Sequence, residues 1–421
     1  MPHLDIILKE LKIEGIATDP AHPEPYFDDY KGKRCMIYPA IQNIPQLTCP
    51  CCGSPGIKYG FKTSYVKMTA DFSIPTWIKL RKQRYRCSDC GRTYLTPSNL
   101  TQKGCFISEP IKLEIFRETA NKITIKEITR RFGVSWTTVQ RVIKRWYGTL
   151  ETNFDYLPEV IGVDEFKAVS TLDSKYALVL VNGLSNEVLD ICPDRKLGYL
   201  LKYFGQYSES ARARVKYITM DMYNPYMAVA RRLFPQAKIC IDKFHVVQLA
   251  SRALDKCRIE VMKQLKEPIV YKTFKRFWRL PLTKGMRIDG WQTRWVSHLR
   301  TWKTQDYLLE QMMEQSDELR CTWEVYQSLL SVMDLKSPER LLALLQEKHE
   351  GIHPQMATCL KTLKMYRNYI ANALESGYTN AGTEANNNHF KVLKRISYGY
   401  RNYDNYRARI FLALGNVLKA A

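Results

Sequence analysis

Five short apolar segments in the middle of the chain constrain its fold more than any other feature. The first three follow one another with short turns, which indicates an antiparallel meander of strands. A helical segment separates the third strand from the fourth, and a second helix separates the fourth from the fifth. The predicted order is therefore βββαβαβ. The five segments cover residues 159–169, 175–184, 186–193, 215–221 and 237–242.

This order is that of a ribonuclease-H-like fold, in which the first strand lies beside the fourth. Asp164 lies in the first strand and Asp221 ends the fourth, so we expect the two carboxylates to meet at the edge of the sheet. Glu165 points to the opposite face of the strand and is interpreted as support or surface. Two alternatives stay open: Glu165 is the true ligand, or Asp221 is an ordinary turn residue.

A third carboxylate, Glu384, opens a predicted helix near the C-terminus, with Thr383 as the expected N-cap. The segment that follows alternates Lys and Arg with Tyr, a composition that suits phosphate contacts and base stacking. The alternative is a solvated helix face. The DNA contacts predicted from this region are Asn388, Lys391, Lys394, Arg395 and Arg401.

Asp164, Asp221 and Glu384 together form a set of oxygen ligands suited to two Mg²⁺ (or Mn²⁺) ions and to in-line displacement at phosphorus. We therefore predict that all three are metal ligands and catalytic residues. About 160 residues separate Asp221 from Glu384, which requires an insertion. The inserted segment is almost wholly helical by pattern, and we expect most of its five tryptophans to lie in the core: Trp278, Trp291, Trp295, Trp302 and Trp323.

Two CxxC pairs in the N-terminal third predict one structural Zn²⁺ site. Cys49 and Cys52 form the first pair and Cys87 and Cys90 the second, and a glycine that permits a tight turn follows each pair. The gap between the pairs exceeds the usual spacing but has room for a β-hairpin. Cys51 leaves the register open, since it could replace either neighbour. The sequence predicts a zinc ribbon, and four unrelated thiols are the alternative.

Residues 109–148 predict three helices, the last two arranged as a helix-turn-helix. Thr124 with Glu127 forms a capping box, Gly133 permits the turn, and Ser135 caps the second of these helices. An ordinary helical hairpin is the alternative. Val139, Val142, Ile143 and Trp146 are expected to face the core. The residues left for DNA are Trp136, Thr137, Thr138, Gln140, Arg141 and Lys144.

The charge balance also favours a nucleic acid partner. The chain has 64 Lys and Arg against 42 Asp and Glu, a net charge of +22 that favours a polyanion. A basic surface that binds nothing is the alternative. No apolar run is long enough to span a bilayer, and the scattered cysteines are typical of a reducing compartment. We therefore expect a cytoplasmic, nucleoid-associated protein without a membrane partner.

Nearly the whole chain resembles bacterial insertion-sequence transposases of the DDE type, specifically the ISL-three group. The resemblance rests on the zinc ribbon, the helix-turn-helix, GVDEF, the TMD strand end, DKFH, and the closing motif that begins at Glu384. It implies that Asp164, Asp221 and Glu384 are the metal-binding triad and that Asp242 and His245, which match the family's D-x-x-H element, are accessory residues. For His245, a contact with DNA and a purely structural role are the alternatives. The chain departs from the pattern after Glu384, where Ala385 and three Asn replace an expected Gly and a single Asn.

The fold class expected is α/β multidomain: a ribonuclease-H-like mixed-sheet core with a helical insertion, preceded by a zinc ribbon and a helix-turn-helix. The expected activity is metal-dependent cleavage and strand transfer of DNA, with the terminal inverted repeats and target DNA as partners and a homodimer pairing the two ends. A DNA-binding regulator with an inactive core and a structure-specific nuclease are the alternatives. The expected divisions are 1–45 (a short helix and an extended arm), 46–104 (ribbon), 105–150 (helix-turn-helix), 151–250 (core), 251–371 (insertion) and 372–421 (core).

Overall fold

The chain divides into two compact units. The first contains residues 1–151, 392–400 and 404–421, and the second contains residues 152–391 and 401–403. The computed structural model describes residues 13–42, 48–71, 74–96, 98, 100–102, 104–148 and 152–414. The helix predicted at the N-terminus falls largely on residues 1–12, outside the described residues.

A six-stranded mixed sheet forms much of the first unit. Its longest strands are joined as a hairpin, and the predicted hairpin between the two CxxC pairs is thereby confirmed. Residues 26–42 are extended as expected, but they are part of this sheet. Residues 26–30 pair antiparallel with residues 33–37, and residues 36–41 pair parallel with the second strand of the hairpin. The strands are β1 (Ile16–Thr18), β2 (Tyr26–Tyr30), β3 (Lys33–Gln42), β4 (Gly56–Asp71), β5 (Ile74–Cys87) and β6 (Thr93–Leu95).

Three helices follow in the first unit: α1 (Glu109–Ala120), α2 (Ile125–Phe132) and α3 (Trp136–Tyr147). The Thr124 side chain accepts a hydrogen bond from the Glu127 amide, and Ser135 accepts one from the Thr138 amide, as predicted for the two caps. The Glu127 carboxylate bonds to Arg130 and Arg131, so among the described residues only the Thr124 half of the predicted capping box is observed. Gly133 has a φ of 55°, in the left-handed region that favours glycine at a helix C-terminus. The predicted helix boundaries and turn are therefore confirmed.

The second unit is built on a five-stranded mixed sheet in the order β11-β10-β7-β8-β9. β7, β8 and β9 form the predicted antiparallel meander, while β10 lies parallel to both β7 and β11. The first and fourth strands are therefore neighbours, as expected. The elements are β7 (Val160–Lys167), β8 (Tyr176–Asn182), β9 (Val188–Cys192), α4 (Leu197–Phe204), α5 (Glu209–Arg214), β10 (Tyr217–Met220), α6 (Asn224–Leu233) and β11 (Lys238–Ile241).

A large helical region follows β11 and shares one continuous hydrophobic core with the sheet. The prediction of an almost wholly helical insertion missed a two-stranded hairpin, β12 (Arg294–Val296) with β13 (Thr301–Lys303). Its three-residue strands are too short to show alternation in the sequence. The helices are α7 (Lys243–Gln264), α8 (Pro268–Arg276), α9 (Gln305–Met313), α10 (Asp317–Leu335), α11 (Pro338–Gln346), α12 (Pro354–Met365) and α13 (Arg367–Ser376).

The last two helices are α14 (Ala381–Ile396) and α15 (Tyr403–Ala413). Within the first unit, Arg409 of α15 is buried and donates hydrogen bonds to the carbonyl oxygens of Asn121 and Ile123, just beyond the end of α1. Much of the segment predicted as a second part of the core therefore packs within the other unit. In the described parts of the chain, every helix is too short or too polar to cross a bilayer.

Candidate active site and zinc centre

Asp164 and Asp221 lie side by side because of the register between β7 and β10. Thr219 pairs with Gly162 in this parallel ladder, and each carboxylate residue lies two positions further along its strand direction. Neighbouring strands are about 4.8 Å apart, so the register brings the two carboxylates close together. The structure therefore brings Asp164 and Asp221 close together, as expected from the strand order.

Burial is the main electrostatic influence on Asp164. Burial, and then the Asp221 carboxylate, raise the pKa of Asp164 to about 7. Its Oδ1 accepts a hydrogen bond from the Glu165 amide at 2.6 Å, and its Oδ2 accepts one from Asn387 Nδ2 at 2.7 Å. The two carboxylates share one partly buried site, so their repulsion favours the binding of a proton or a cation.

Asp221 has a histidine partner on a neighbouring helix. His245 Nε2, near the start of α7, lies 2.8 Å from Asp221 Oδ1, and this contact raises the pKa of His245. His245, which the family resemblance implied as an accessory residue, therefore contacts a predicted ligand directly.

Glu165 is held by a cation and is not free to act as a ligand in this arrangement. Its carboxylate forms an ion pair with Arg195 and accepts a hydrogen bond from the Tyr226 hydroxyl at 3.3 Å. Arg195 also lies over the rings of Tyr176 and Tyr223. A cavity of about 360 Å³ opens beside these groups, lined by Glu165, Asp221, His245, Arg252, Tyr366 and neighbouring side chains. These contacts agree with the supporting role predicted for Glu165.

Asp242 has a structural role at the junction of two helices. Its Oδ1 accepts a hydrogen bond from the Phe244 amide and caps α7, and its Oδ2 accepts one from the Asn380 amide at the start of α14. Both oxygens of this buried carboxylate are therefore occupied. Asp242 positions α14 relative to the end of β11.

Two asparagines attach α14 to the central strands β7 and β10, and sequence reasoning had singled out neither of them. Asn380 Nδ2 donates to the Val163 carbonyl oxygen at 3.2 Å, and its Oδ1 accepts from the Thr219 hydroxyl at 2.8 Å. Asn387 donates to Asp164, as described above. Residues 380, 384 and 387 fall on one helix face, so the i+3 spacing from Glu384 could have identified Asn387.

The three consecutive asparagines differ in environment. Asn386 Nδ2 donates to the Asn186 carbonyl oxygen in the turn between β8 and β9 at 2.9 Å, whereas Asn387 is buried against Asp164. Asn388, the residue predicted to contact DNA, is exposed. The departure from the family pattern therefore includes two asparagines that anchor α14 and one that faces solvent.

Glu384 lies in the first turn of α14, as predicted, but its side chain lines a different cavity from that of Asp221. This second cavity, of about 290 Å³, is lined by Glu384, Asp242, Lys243, Lys284, Asp334 and apolar side chains. The N-cap prediction for Thr383 is wrong, because α14 begins at Ala381 and Thr383 is buried inside the first turn. Helix α14 places Glu384 between Asn380 and Asn387, the two residues that contact the sheet edge.

The four predicted zinc ligands converge in the first unit. The Sγ atoms of Cys49, Cys52, Cys87 and Cys90 lie within 4.8 Å of one another, and among the described residues only this group gathers three or more candidate ligands so closely. Gly53 and Gly91 both have positive φ, as the predicted turns require. Cys51 lies outside the cluster, where Arg92 Nη1 contacts its sulfur at 3.1 Å.

The cysteine cluster also has the electrostatics of a metal site. Hydrogen bonds from the Ser54 amide and hydroxyl and from the Cys87 thiol lower the pKa of Cys52 to about 6. The Arg92 amide lowers the pKa of Cys90, but burial and the three neighbouring thiols outweigh it and raise that pKa to about 12. The Cys51 amide lies 3.4 Å from Cys49 Sγ. Backbone amides directed at sulfur favour the thiolate form, and four thiolates form a closed tetrahedral site of the structural type. The donor set therefore suits Zn²⁺.

The exposed face of α3 contains the residues predicted to read DNA. Val139, Val142 and Ile143 are buried, and Trp146 stacks on Phe116 at 5.0 Å between ring centroids. The predicted inward face is therefore confirmed. Trp136, Thr137, Arg141 and Lys144 are exposed, and Thr138 and Gln140 are half-buried.

The basic residues near the C-terminus are also accessible. Lys391 and Arg395 on α14 and Arg401 before α15 are exposed, and Lys394 is half-buried. Their positions are compatible with the predicted phosphate contacts.

Two family models match the sequence of this chain. A transposase family model of the ISL-three DDE type matches residues 161–410, more than half of the chain, and a homeodomain-like helix-turn-helix model matches residues 107–152. The first match contains the β7 and β10 carboxylates and all of α14. The second contains α1, α2 and α3.

Two of the curated relatives are transposases, in agreement with the family models. The chain is 25% identical to the transposase of insertion sequence element IS1001 from Bordetella parapertussis, over 80% of this chain and 81% of that protein. It is 23% identical to the IS1557 transposase of Mycobacterium tuberculosis, over 67% of this chain and 65% of that protein. A Lactococcus lactis protein named as an ATP-dependent protease is 32% identical over 32% of this chain and 43% of its own length. The family match over more than half of the sequence shows that this chain belongs to the ISL-three family of DDE transposases.

Proposed function

We propose that this chain binds the terminal inverted repeats of an insertion sequence and catalyses metal-dependent cleavage and strand transfer of their DNA. The observation that carries the proposal is the pairing of Asp164 and Asp221 on adjacent parallel strands, where burial and mutual repulsion raise the pKa of Asp164 to about 7. Two carboxylates held side by side on neighbouring inner strands suit cation binding. The sheet order around them supports a ribonuclease-H-like core.

The donor set at this edge fits a hard divalent cation. Asn387 Oδ1 is a buried oxygen that accepts no hydrogen bond within the described residues, and Asp221 Oδ1 lies 2.8 Å from His245 Nε2. Buried acceptors of this kind are costly unless a donor or a cation satisfies them. Asp164, Asp221 and Glu384 would hold Mg²⁺ or Mn²⁺, which when bound supplies Lewis-acid activation of the attacking and leaving oxygens.

The protein side chains orient the ligands. Asn387 fixes Asp164 through Oδ2, and the His245 contact fixes Asp221. Asn380 and Asp242 together anchor the start of α14, so Glu384 is presented from a helix whose position is already set. The proposal requires Glu384 to turn from its present cavity toward Asp164 while the helix stays in place.

Recognition of the transposon ends is assigned to the first unit. The exposed residues of α3 are proposed to enter the major groove, with the zinc-stabilised ribbon beside the helix-turn-helix sequence contributing phosphate contacts. The exposed basic residues of α14 are proposed to neutralise the strand being cut. The reaction acts on two ends at once, which supports a homodimer, and DNA as substrate supports a location at the bacterial nucleoid.

The test is cleavage of a duplex that carries the inverted repeat from the DNA flanking the gene, with and without Mg²⁺. We expect specific nicking at the repeat end only with the metal, and joining of the released 3′-hydroxyl to a second duplex. Binding of the repeat without any metal-dependent cleavage would favour a DNA-binding regulator. Cleavage that follows DNA shape and ignores the terminal sequence would favour a structure-specific nuclease.

A further inference from the structure

Four tryptophans of the helical region are exposed, contrary to the expectation that most of the five would lie in the core. Trp291 is 94% exposed, Trp302 61%, Trp295 51% and Trp278 40%. Among the five, Trp323 alone packs against the core. Large aromatic side chains contribute most to folding when they are buried, so this exposure favours a binding role.

The hairpin of β12 and β13 turns its aromatic face outward. Trp295 and Trp302 are paired across the two strands, with ring centroids 5.9 Å apart. The next residue on β12, Val296, is completely buried in the core of the second unit. Because side chains alternate between the faces of a strand, Val296 faces the protein interior and the tryptophan pair faces solvent.

The same region carries a concentrated positive charge. Residues 271–303 contain nine Lys and Arg and one acidic residue, Asp289. Among the described residues, only Lys284 of these nine has a carboxylate within ion-pair distance, that of Asp334. The pKa of His298 is lowered by burial and then by Arg276 and Lys272, which indicates that the local potential is positive.

Short contacts join the pieces of this surface into one structural region. The Arg276 guanidinium donates to the Ser297 hydroxyl, and Thr273 bonds to His298 Nε2 at 2.9 Å, so α8 is attached to the hairpin turn. The Gln305 amide donates to the Asp289 carbonyl oxygen at 3.0 Å, which attaches the loop before the hairpin to α9. Trp278 and Trp291 adjoin these attachment points in sequence.

Cations lie against aromatic rings around this region. The Arg279 guanidinium is 4.8 Å from the Trp278 ring centroid, and Lys303 Nζ is 3.6 Å from that of Tyr307. Interleaved cations and exposed rings are the arrangement by which proteins hold unpaired DNA, with phosphates on the cations and bases stacked on the rings. Duplex DNA would use the cations alone, because its bases are already stacked.

A purely structural role explains only part of this arrangement. A hairpin with three-residue strands is marginal by itself, and a cross-strand tryptophan pair stabilises it. Trp291 and Trp278 are not members of that pair. The structural role therefore leaves the exposure of Trp278 and Trp291 unexplained.

We propose that the exposed tryptophans 278, 291, 295 and 302, with the surrounding Lys and Arg, form a site that binds single-stranded DNA by base stacking. The inference deepens the proposed function, because cleavage at a transposon end exposes unpaired bases that need to be held. The site would stabilise a frayed or displaced strand, and it requires no particular base sequence.

The test uses the full-length zinc-loaded protein without Mg²⁺ and measures binding of a labelled oligo(dT) of about 12 nucleotides by fluorescence anisotropy. We expect Trp291→Ala to weaken binding roughly tenfold and Trp295→Ala with Trp302→Ala to weaken it further. Trp295→Tyr should retain most of the affinity, because tyrosine preserves a stacking surface. Met286→Ala is the matched control, since Met286 is an almost fully exposed apolar residue in the same region, and it should bind as the wild type does.

Wild-type affinity for oligo(dT) in Trp291→Ala and in the double variant would overturn the proposal. So would a double variant that loses self-association in the absence of DNA but keeps its affinity for oligo(dT), because the surface would then be a protein interface. Repeat cleavage is assayed separately with Mg²⁺. A wild-type protein that cleaves the repeat while its Trp variants bind oligo(dT) normally would exclude this inference and leave the proposed function intact.

Discussion

The two candidate metal sites of this protein differ in how they are completed. The cysteine site is closed, because four thiols from two turns converge within 4.8 Å and leave no free ligand position. The carboxylate site is open: Asp164 and Asp221 are adjacent, while Glu384 lines a neighbouring cavity. A closed site suits a structural role and an open site suits chemistry on a substrate.

The two sites also differ in what holds their ligands. Each cysteine pair is shaped by its own turn, and one hairpin brings the pairs together. The carboxylates depend on a strand register, on α7 and on α14, elements that lie far apart in the sequence.

Removing a carboxylate from the open site should abolish chemistry with the fold retained. We expect Asp164→Asn, Asp221→Asn and Glu384→Gln each to lower strand cleavage by about 10³-fold or more, because each removes an anionic ligand that would hold the divalent cation at the reacting phosphate. Gel assays of repeat cleavage measure the loss, and circular dichroism checks the fold. Full cleavage by Glu384→Gln would restrict the active carboxylates to the two strand residues.

Removing a cysteine from the closed site should instead unfold the ribbon. We expect Cys87→Ser to lose zinc and to lower the free energy of unfolding of the first unit by several kcal/mol, since metal binding at such sites is coupled to folding. Zinc content and the thermal unfolding midpoint measure both effects. Cys51→Ser is the matched control, because Cys51 lies outside the cluster and should retain a full zinc complement. Equal zinc loss in both variants would contradict the assigned ligands.

The asparagine pair on α14 tests whether orientation matters at the open site. Asn387→Ala should reduce cleavage by about 10- to 100-fold, because Asp164 loses the amide that orients it. Asn388→Ala, at the next and exposed position, should affect DNA affinity more than the cleavage rate of the bound complex. Single-turnover rates measured with saturating protein separate the cleavage rate of the bound complex from DNA affinity. Equal single-turnover rates for Asn387→Ala and the wild type would remove its positioning role.

The pH dependence of stability tests the charge repulsion at the open site. Because the pKa of Asp164 is raised to about 7, the folded state binds this proton more tightly than the unfolded state does. The stability contributed by this group therefore increases as the pH falls from about 7 toward 4. In buffer free of Mg²⁺ and Mn²⁺, Asp164→Asn should stabilise the zinc-loaded protein at pH 8 on the order of 1 kcal/mol.

Thermal unfolding midpoints at pH 5 and pH 8 measure this effect. Asp173→Asn, at an exposed carboxylate in the turn after β7, is the control and should leave the difference between the two midpoints unchanged. An Asp164→Asn variant that is no more stable than the wild type at pH 8 would contradict the predicted repulsion.

Predictions that relied on short-range patterns were the most accurate. The caps at Thr124 and Ser135, the turn at Gly133 and the glycines after both CxxC pairs all form as expected, because each involves atoms a few residues apart. The order of the strands along the chain was also predictable. Three apolar runs of strand length follow one another, and a helical segment precedes each of the last two runs. The adjacency of β7 and β10 followed from that order.

Predictions that depended on burial by distant elements were less accurate. The tryptophans of the helical region were expected in the core, but composition does not indicate which side of a short hairpin faces solvent. The N-cap of α14 was placed too late, because Asp242, more than a hundred residues away, holds the Asn380 amide at the helix start. Asn387 was not singled out, because its partner Asp164 lies 223 residues away in the chain.

The sequence alone predicted the types of element, their order, the two CxxC pairs that converge in one cluster and the three candidate carboxylates. Those features depend on local backbone preferences and on side-chain chemistry at short spacing. The tertiary structure alone decided that Arg195 neutralises Glu165, that His245 contacts Asp221, that Asn387 orients Asp164, and that Arg409 joins the C-terminal helix to the first unit. These contacts join segments far apart in the chain, and their geometry is fixed by the packing of whole helices and strands.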